Sequence, residues 1–262
     1  MNGVVRQLFQ EEHVSVSAIS RYLKCPRSYK YKYVDKLQAE TRASALVFGG
    51  AIHETLALFY KALRDEQPEP DLTNLMAAFH FKFEDDLKAN PPVMFSDKET
   101  TATLMESAKA MLEVFLAEAE RPFKVVDVET PFSLDIGSSK RLVGVLDAVI
   151  QDSDGKYRIL EHKTAARRWS ESRISSDLQI TVYQLAAPML GLGNTNSVDI
   201  QLLLKTKKSG LEIYPARRTQ ADKDDALETI DGVLRAAEAG AFYPCRDWWC
   251  GSCEFASKCM AG

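Results

Sequence analysis

Two short stretches carry the most chemistry for their spacing: Gly144-Val-Leu-Asp147 and, 14 residues beyond Asp147, Glu161-His-Lys163. Asp147 stands inside an apolar run, LVGVLDAVI. A charge there is costly unless it is paired or binds a metal. Glu161 and Lys163 end the next apolar run, RILEHK, and residues two apart on a strand share a face. Between them lies Asp152-Ser-Asp-Gly155, a hairpin turn, which pairs the two strands antiparallel and brings Asp147 roughly opposite Glu161. Two carboxylates and a lysine then share one patch. Two such acids repel unless a divalent cation bridges them, and Mg²⁺ takes one or two carboxylates and keeps the rest of its shell for substrate. A cation there polarises a phosphate and makes water a better nucleophile. Lys163 would orient or deprotonate that water or stabilise the developing charge. A buried salt bridge of Lys163 with Asp147 or Glu161 is the other reading of the same residues, and spacing alone leaves both open.

The second constellation is made of thiols. The chain has five cysteines, Cys25, Cys245, Cys250, Cys253 and Cys259, and four fall in the last 18 residues. An odd number argues against a disulfide framework. Cys250-x-x-Cys253 followed by Cys259 has ligand spacing, one thiolate short of a tetrahedral site, and Cys25 is the candidate outside the tail. Cys245 is either a free thiol or a substitute for Cys25. A four-thiolate site suits Zn²⁺ or an iron–sulfur cluster. Trp248 and Trp249 beside it would shield the site or stack on bases, with shielding the expected role.

The elements that must position these groups follow from periodicity. Helical patterns run over 15–36 (interrupted at Pro26, with Ser15 or Ser17 as cap), 47–64, 72–88 and 99–120. Ile52, Leu56, Phe59, Tyr60 and Leu63 form one apolar face, and Leu104, Ala108, Met111, Leu112 and Phe115 another. Strand patterns follow at 125–134, 142–151 and 157–162, then a helix at 176–190, strands at 198–205 and 211–215, and a helix at 219–240 with a Thr cap and a Gly stop. The tail after Phe242 reads as irregular. The expected fold is a mixed α/β core with an N-terminal helical insertion and a C-terminal cysteine tail. As one domain over 1–262 it divides into a helical part at 15–122, a core at 123–240 and a tail at 241–262.

Composition is that of a globular chain, 45% hydrophobic and 27% charged. No stretch has the roughly 20 apolar residues that span a bilayer. The acids near the start do not suit a signal peptide, so the expected location is the cytoplasm. A net charge of −4 argues against a protein that merely coats nucleic acid, although local basic clusters exist at Arg21, Lys24, Arg27, Lys30 and Lys32, at Arg167, Arg168 and Arg173, and at Lys205, Lys207 and Lys208.

The order Asp147, then Glu161-x-Lys163 at the end of the next strand, resembles the PD-(D/E)XK nuclease superfamily, and within it the RecB-like branch. Gly49-Gly-Ala-Ile-His53 resembles that branch's glycine-to-histidine motif, and Gln179-x-x-x-Tyr183 its Q-x-x-x-Y helix motif. Glu129 stands where an acid often precedes the Gly-x-x-Asp motif. The family usually has Asp where Glu161 stands, often followed by Tyr where this chain has His162. Cys25 in Lys-Cys-Pro-Arg-Ser-Tyr together with the terminal cysteines is similar to the iron–sulfur staple of AddB and of CRISPR-associated RecB-like exonucleases. The resemblance implies a restriction-endonuclease-like fold and Mg²⁺ or Mn²⁺ held by His53, Asp147, Glu161 and the main-chain carbonyl of His162. It implies that Lys163, Gln179 and Tyr183 complete the site. It also implies a [4Fe-4S] cluster on Cys25, Cys250, Cys253 and Cys259, with Zn²⁺ the alternative.

The expected function is metal-dependent exonuclease cleavage of DNA ends or single strands in recombination, repair, or phage or CRISPR DNA processing. Arg21, Lys24, Arg27, Lys30 and Tyr183 would contact the nucleic acid. No Gly-x-x-x-x-Gly-Lys-Ser/Thr occurs, so the chain is no helicase motor, and a helicase, recombinase or CRISPR adaptation protein is the expected partner. The alternatives are a catalytically silent or partner-dependent DNA-binding module and a zinc-stabilised structural protein.

Overall fold

Strand β5 (Arg141–Gln151) is the spine of the molecule, because three other strands depend on it. In a computed structural model describing residues 12–97, 99–121, 124–193, 197–206 and 208–260, β4 (Lys124–Leu134) lies antiparallel along the whole of one edge of β5. The other edge is divided. A short strand, β1 (His13–Ser15), pairs in parallel with residues 141–143, while β6 (Tyr157–Ala165) pairs antiparallel with residues 148–151. Residues 144–147 lie in the split between them. Beyond β6 the sheet continues through β7 (Val198–Leu204), parallel to β6, and β8 (Gly210–Ala216), antiparallel to β7. The sheet is mixed, as expected for an α/β core.

Helices cover both faces, and the alternation of strand side chains divides the core accordingly. On one face, α3 (Ser44–Arg64), α4 (Leu72–Lys88) and α5 (Thr101–Glu118) pack Ile52, Leu56, Phe59, Phe79, Met111 and Phe115 against Ala148, Ile150, Leu160 and Leu203. The stripes read from the sequence at i, i+4 and i+7 are the ones buried here. On the opposite face, α1 (Val16–Lys24), α7 (Leu178–Ala186) and α8 (Gln220–Glu238) pack Ile19, Tyr22, Ile180, Tyr183, Ile230 and Leu234 against Leu146, Ile159, Ile200 and Leu202. The N-terminal helical part serves both faces of the sheet. Its first helix joins the α7–α8 layer and its long helices form the other layer, because each amphipathic face needs its own side of the sheet.

Several boundaries also differ from the sequence reading. Ser15 ends β1 and caps α1, accepting from the Ala18 N–H at 3.2 Å, whereas Ser17 lies inside that helix. Pro26 opens a new helix, α2 (Pro26–Tyr29), which runs into a π-helical turn at Lys30–Val34. The helix expected over 176–190 is preceded by a short α6 (Glu171–Ser175), starts only at Leu178 behind the Asp177 cap, and gives way to a 3₁₀ turn containing Pro188. Strands β2 (Arg42–Ala43) and β3 (Val93–Met94) form a two-stranded sheet that the sequence did not signal. Thr219 caps α8 in a reciprocal capping box with Asp222, and Gly240 follows that helix at a φ of 75°. The tail carries a 3₁₀ turn (Trp248–Ser252) and α9 (Ala256–Met260). Among the described residues no helix is long and apolar enough to cross a membrane. Glu11, one of the two acids behind the export reading, the 122–123 boundary and Lys207 fall outside the described residues.

Candidate active site

The site lies in the split of β5. The β5–β6 ladder ends at Ala148 and Leu160, and the same register sets Asp147 opposite Glu161. The next rung is replaced by a side chain: the His162 N–H donates to Asp147 Oδ2 at 2.8 Å. Val145, also in the split, accepts from the Tyr183 hydroxyl at 2.7 Å. Backbone groups that would otherwise pair with a strand are satisfied by the residues expected to do chemistry.

Alternation along β6 then sorts the side chains. Glu161 and Lys163 face α7, whereas His162 faces α3, with its ring 5.2 Å from that of Tyr60. His53 reaches in from α3, one residue beyond the buried Ile52, and its Nδ1 lies 3.3 Å from Asp147 Oδ2. Lys163 ion-pairs with Glu161 and donates to Gln179 Oε1 at 2.7 Å. Gln179 Nε2 donates in turn to the Tyr183 hydroxyl at 2.6 Å. Because that hydroxyl gives its proton to Val145, Gln179 must present its N–H to Tyr183 and its carbonyl to Lys163. The lysine is thereby fixed through a chain that ends on the backbone of β5.

Gly144 makes room for this chain. A Cβ there would overlap the ring of Phe132, which packs edge-on to Tyr183 with centroids 5.9 Å apart. Asp177, which caps α7, accepts from the N–H groups of Gln179 and Ile180. Arg218, only 7% exposed, donates to the carbonyls of Ile174 and Asp177 and to Thr181 Oγ1, bracing the entry to the same helix. Sequence reading missed both residues. An acid beside the start of an apolar helical pattern is the usable signal for Asp177, and Arg218 carries no local signal.

The electrostatics are those of crowded acids. Glu161 is fully buried, and neither carboxylate oxygen has a directed hydrogen bond despite the ion pair with Lys163. Burial, and then the charge of Asp147, raise its pKa above the usual carboxylate range. For Asp147 burial alone would raise the pKa, but hydrogen bonds and charge from His162 and His53 outweigh it and hold the acid well below its ordinary value. For His53 and Lys163 burial works against the charged form, and the neighbouring carboxylates outweigh it and raise both. The Tyr183 hydroxyl, raised above all by burial and then by Glu161, stays protonated.

The two acids, His53 and the partly exposed Asp147 suit a hard divalent cation, and the buried Glu161 carboxylate beside Lys163 is the kind of group such an ion would satisfy. Among the described residues no set of three or more His, Cys, Asp or Glu side chains is already converged on one point. Glu129 is not part of this cluster. It adopts a left-handed φ of 55° and ion-pairs with Lys61 of α3. Tyr183, expected at the nucleic acid, is 2% exposed with its hydroxyl engaged on both sides, so it holds Gln179 instead.

The tail docks on the first helices. Tyr22 donates to the Ala241 carbonyl at 2.6 Å, the Arg27 N–H to Tyr243 at 3.1 Å, and Glu254 ion-pairs with Arg21 at 2.7 Å. Between them is a cavity of about 470 Å³ lined by all five cysteines and Trp249, and all five thiols are free. Burial, and next the neighbouring Cys25, raise the Cys245 pKa. Arg21, Lys24 and Arg27 line this cavity, while Lys30 ion-pairs with Asp35. Trp248 does not shield the thiols, being 83% exposed; Trp249 is the one that lines the cavity, with Lys24 above its ring.

An acid pair at a split in a mixed sheet, with a lysine two residues on, is an arrangement suited to holding a divalent cation beside a phosphate. The sequence model of the PD-(D/E)XK nuclease superfamily matches residues 13–260, and the chain belongs to that superfamily. Its fold is similar to that of a candidate exonuclease from Eubacterium rectale, at 11% identity, with 97% of this chain and 92% of that one covered and a TM-score of 0.58. A looser likeness, with a TM-score of 0.39 at 13% identity, covers 94% of this chain and 95% of SSO0001. No curated protein matched the sequence.

Proposed function

We propose that this nuclease is a Mg²⁺- or Mn²⁺-dependent deoxyribonuclease that acts as an exonuclease on DNA ends or single strands. The observation that carries the reading is the fully buried Glu161, opposite Asp147 and ion-paired with Lys163. His53, Asp147, Glu161 and the His162 carbonyl would hold the cation, which when bound polarises the phosphate and acidifies attacking water. Lys163, held by Gln179, orients that water and stabilises charge building on the phosphate. The exonuclease assignment draws on the description of the E. rectale protein. We further propose that the thiols of Cys25, Cys250, Cys253 and Cys259 hold a [4Fe-4S] cluster, with Zn²⁺ as the competing occupant. The support is that they line one cavity between the two chain ends. DNA would reach the site past Arg21, Lys24 and Arg27, delivered by a helicase, recombinase or CRISPR adaptation protein.

The test is cleavage of 5′- and 3′-labelled single- and double-stranded DNA by anaerobically purified protein, with and without Mn²⁺. Metal-dependent release of nucleotides from an end is expected. A folded protein that cuts nothing under any condition sinks the proposal in favour of a binding module. Visible absorbance of the same sample distinguishes iron–sulfur from zinc.

A further inference from the structure

The motif's middle residue has a side chain that the proposed mechanism leaves unused. His162 is 2% exposed, packed on Tyr60 and edge-on to His53 at a centroid distance of 6.2 Å. Its Nδ1 lies 3.4 Å from Asp147 Oδ2, the same oxygen that accepts its main-chain N–H at 2.8 Å and lies 3.3 Å from His53 Nδ1. All three nitrogens converge on Oδ2. The other ring nitrogen, Nε2, is buried without a hydrogen-bond partner. A carboxylate facing Nδ1 calls for the proton there.

We infer that the His162 imidazole is a positioning residue for Asp147. As a fixed Nδ1–H donor, it locks the carboxylate through Oδ2 in the orientation from which it would hold the cation. The inference rests on the metal-dependent nuclease reading. Its physical basis is the pleat: Glu161 points to one face and His162 to the other, so one residue supplies both a main-chain and a side-chain donor to the acid at the strand split. The main-chain donor exists whatever residue stands at 162, but the ring donor does not. Tyr60 keeps the ring in place, and its own hydroxyl is committed to Gln201 Oε1 at 3.2 Å.

The experiment is Mn²⁺ titration followed by electron paramagnetic resonance without DNA, on wild type, His162→Phe and His162→Asn. Phe keeps a ring and the main-chain N–H but loses the donor. Asn offers an N–H close to where Nδ1–H was. His162→Phe should weaken Mn²⁺ binding about 10- to 100-fold, the usual effect of losing a group that orients a ligand. Its cleavage curve should shift to higher Mn²⁺ by the same factor. His162→Asn should bind within a few-fold of wild type. Wild-type affinity in His162→Phe, or equal losses in both variants, overturns the inference. Long-range ¹H–¹⁵N spectra of the wild type give a check that needs no variant: a protonated Nδ1 is expected, and an Nδ1 without a proton overturns it. Wild type that neither binds Mn²⁺ nor cuts DNA would sink the nuclease reading instead, so the two failures are distinct.

Discussion

Replacing Tyr183 with Phe asks whether Lys163 is held in place from the far end of its hydrogen-bond chain. The ring keeps its packing on Phe132, so only the hydroxyl is lost. That hydroxyl donates to Val145 at 2.7 Å and accepts from Gln179 at 2.6 Å, in a site 2% exposed, where water does not replace it. Each such bond contributes about 1 kcal/mol net, and a buried carbonyl left without a donor costs about 1–3 kcal/mol. A total loss of about 2–4 kcal/mol follows, equivalent to a fall in Tm of about 5–15 °C for a chain of this size. The effect on chemistry is separate. Without the hydroxyl the Gln179 amide keeps only its bond from Lys163 and loses its anchor to β5, so the lysine is no longer held from the far end. Misplacement on that scale costs on the order of 10²-fold in kcat, with KM for DNA little changed. Urea unfolding measures the first effect and single-turnover cleavage at saturating Mn²⁺ the second. Full-rate cleavage in a variant destabilised as expected would refute the chain as a positioning device. Unchanged stability would refute the burial argument itself.

The other expectations concern separate parts of the molecule. Gly144→Ala should cost about 1–3 kcal/mol by forcing the Phe132 ring out of place, with cleavage reduced through Tyr183; denaturation and cleavage at wild-type stability would show that the ring can move freely. Lys163→Ala should abolish cleavage while a gel-shift assay still detects DNA binding, and retained cleavage would remove the lysine from the reaction. Burial alone would raise the Glu99 pKa, but bonds from Lys205, Ser44 and the Ser96 N–H hold it at about 2. This depressed acid therefore adds stability that is fully present above the ordinary carboxylate pKa of 4.5 and is lost as pH falls toward about 2. In urea midpoints across that window, Glu99→Gln should lose less stability than wild type, and parallel curves would count against the pairing. Cys250→Ala should lose visible absorbance and melt several degrees lower; an unchanged melting temperature would argue against a structural cluster.

Much of the core was legible because it is local and periodic. Ile52, Leu56, Phe59 and Tyr60 repeat at helical spacing, and the core needs a stripe of that width wherever the helix packs. The turn at Asp152–Gly155 set the register of Asp147 against Glu161, since the separation across a hairpin is fixed by its centre. The division of the N-terminal helices between two faces was not legible. Each has an apolar stripe, and a stripe does not state which side of a sheet it covers. The fate of Trp248 and Tyr183 was hidden for a related reason: both are aromatic residues near expected sites, and only packing exposes one and buries the other.

By itself, the sequence determined which groups could do the chemistry: the acids at 147 and 161, the lysine two residues on, and five thiols at the two ends of the chain. Residue type and short-range spacing are enough for that. Tertiary structure alone decided that β5 is split between β1 and β6, that Asp147 fills the missing rung through one oxygen, and that Lys163 is tied through Gln179 and Tyr183 to Val145. It likewise brought Cys25 to the tail across more than 200 residues. Those arrangements depend on burial shared among distant segments, and a local pattern holds no record of which distant partner satisfies a backbone group.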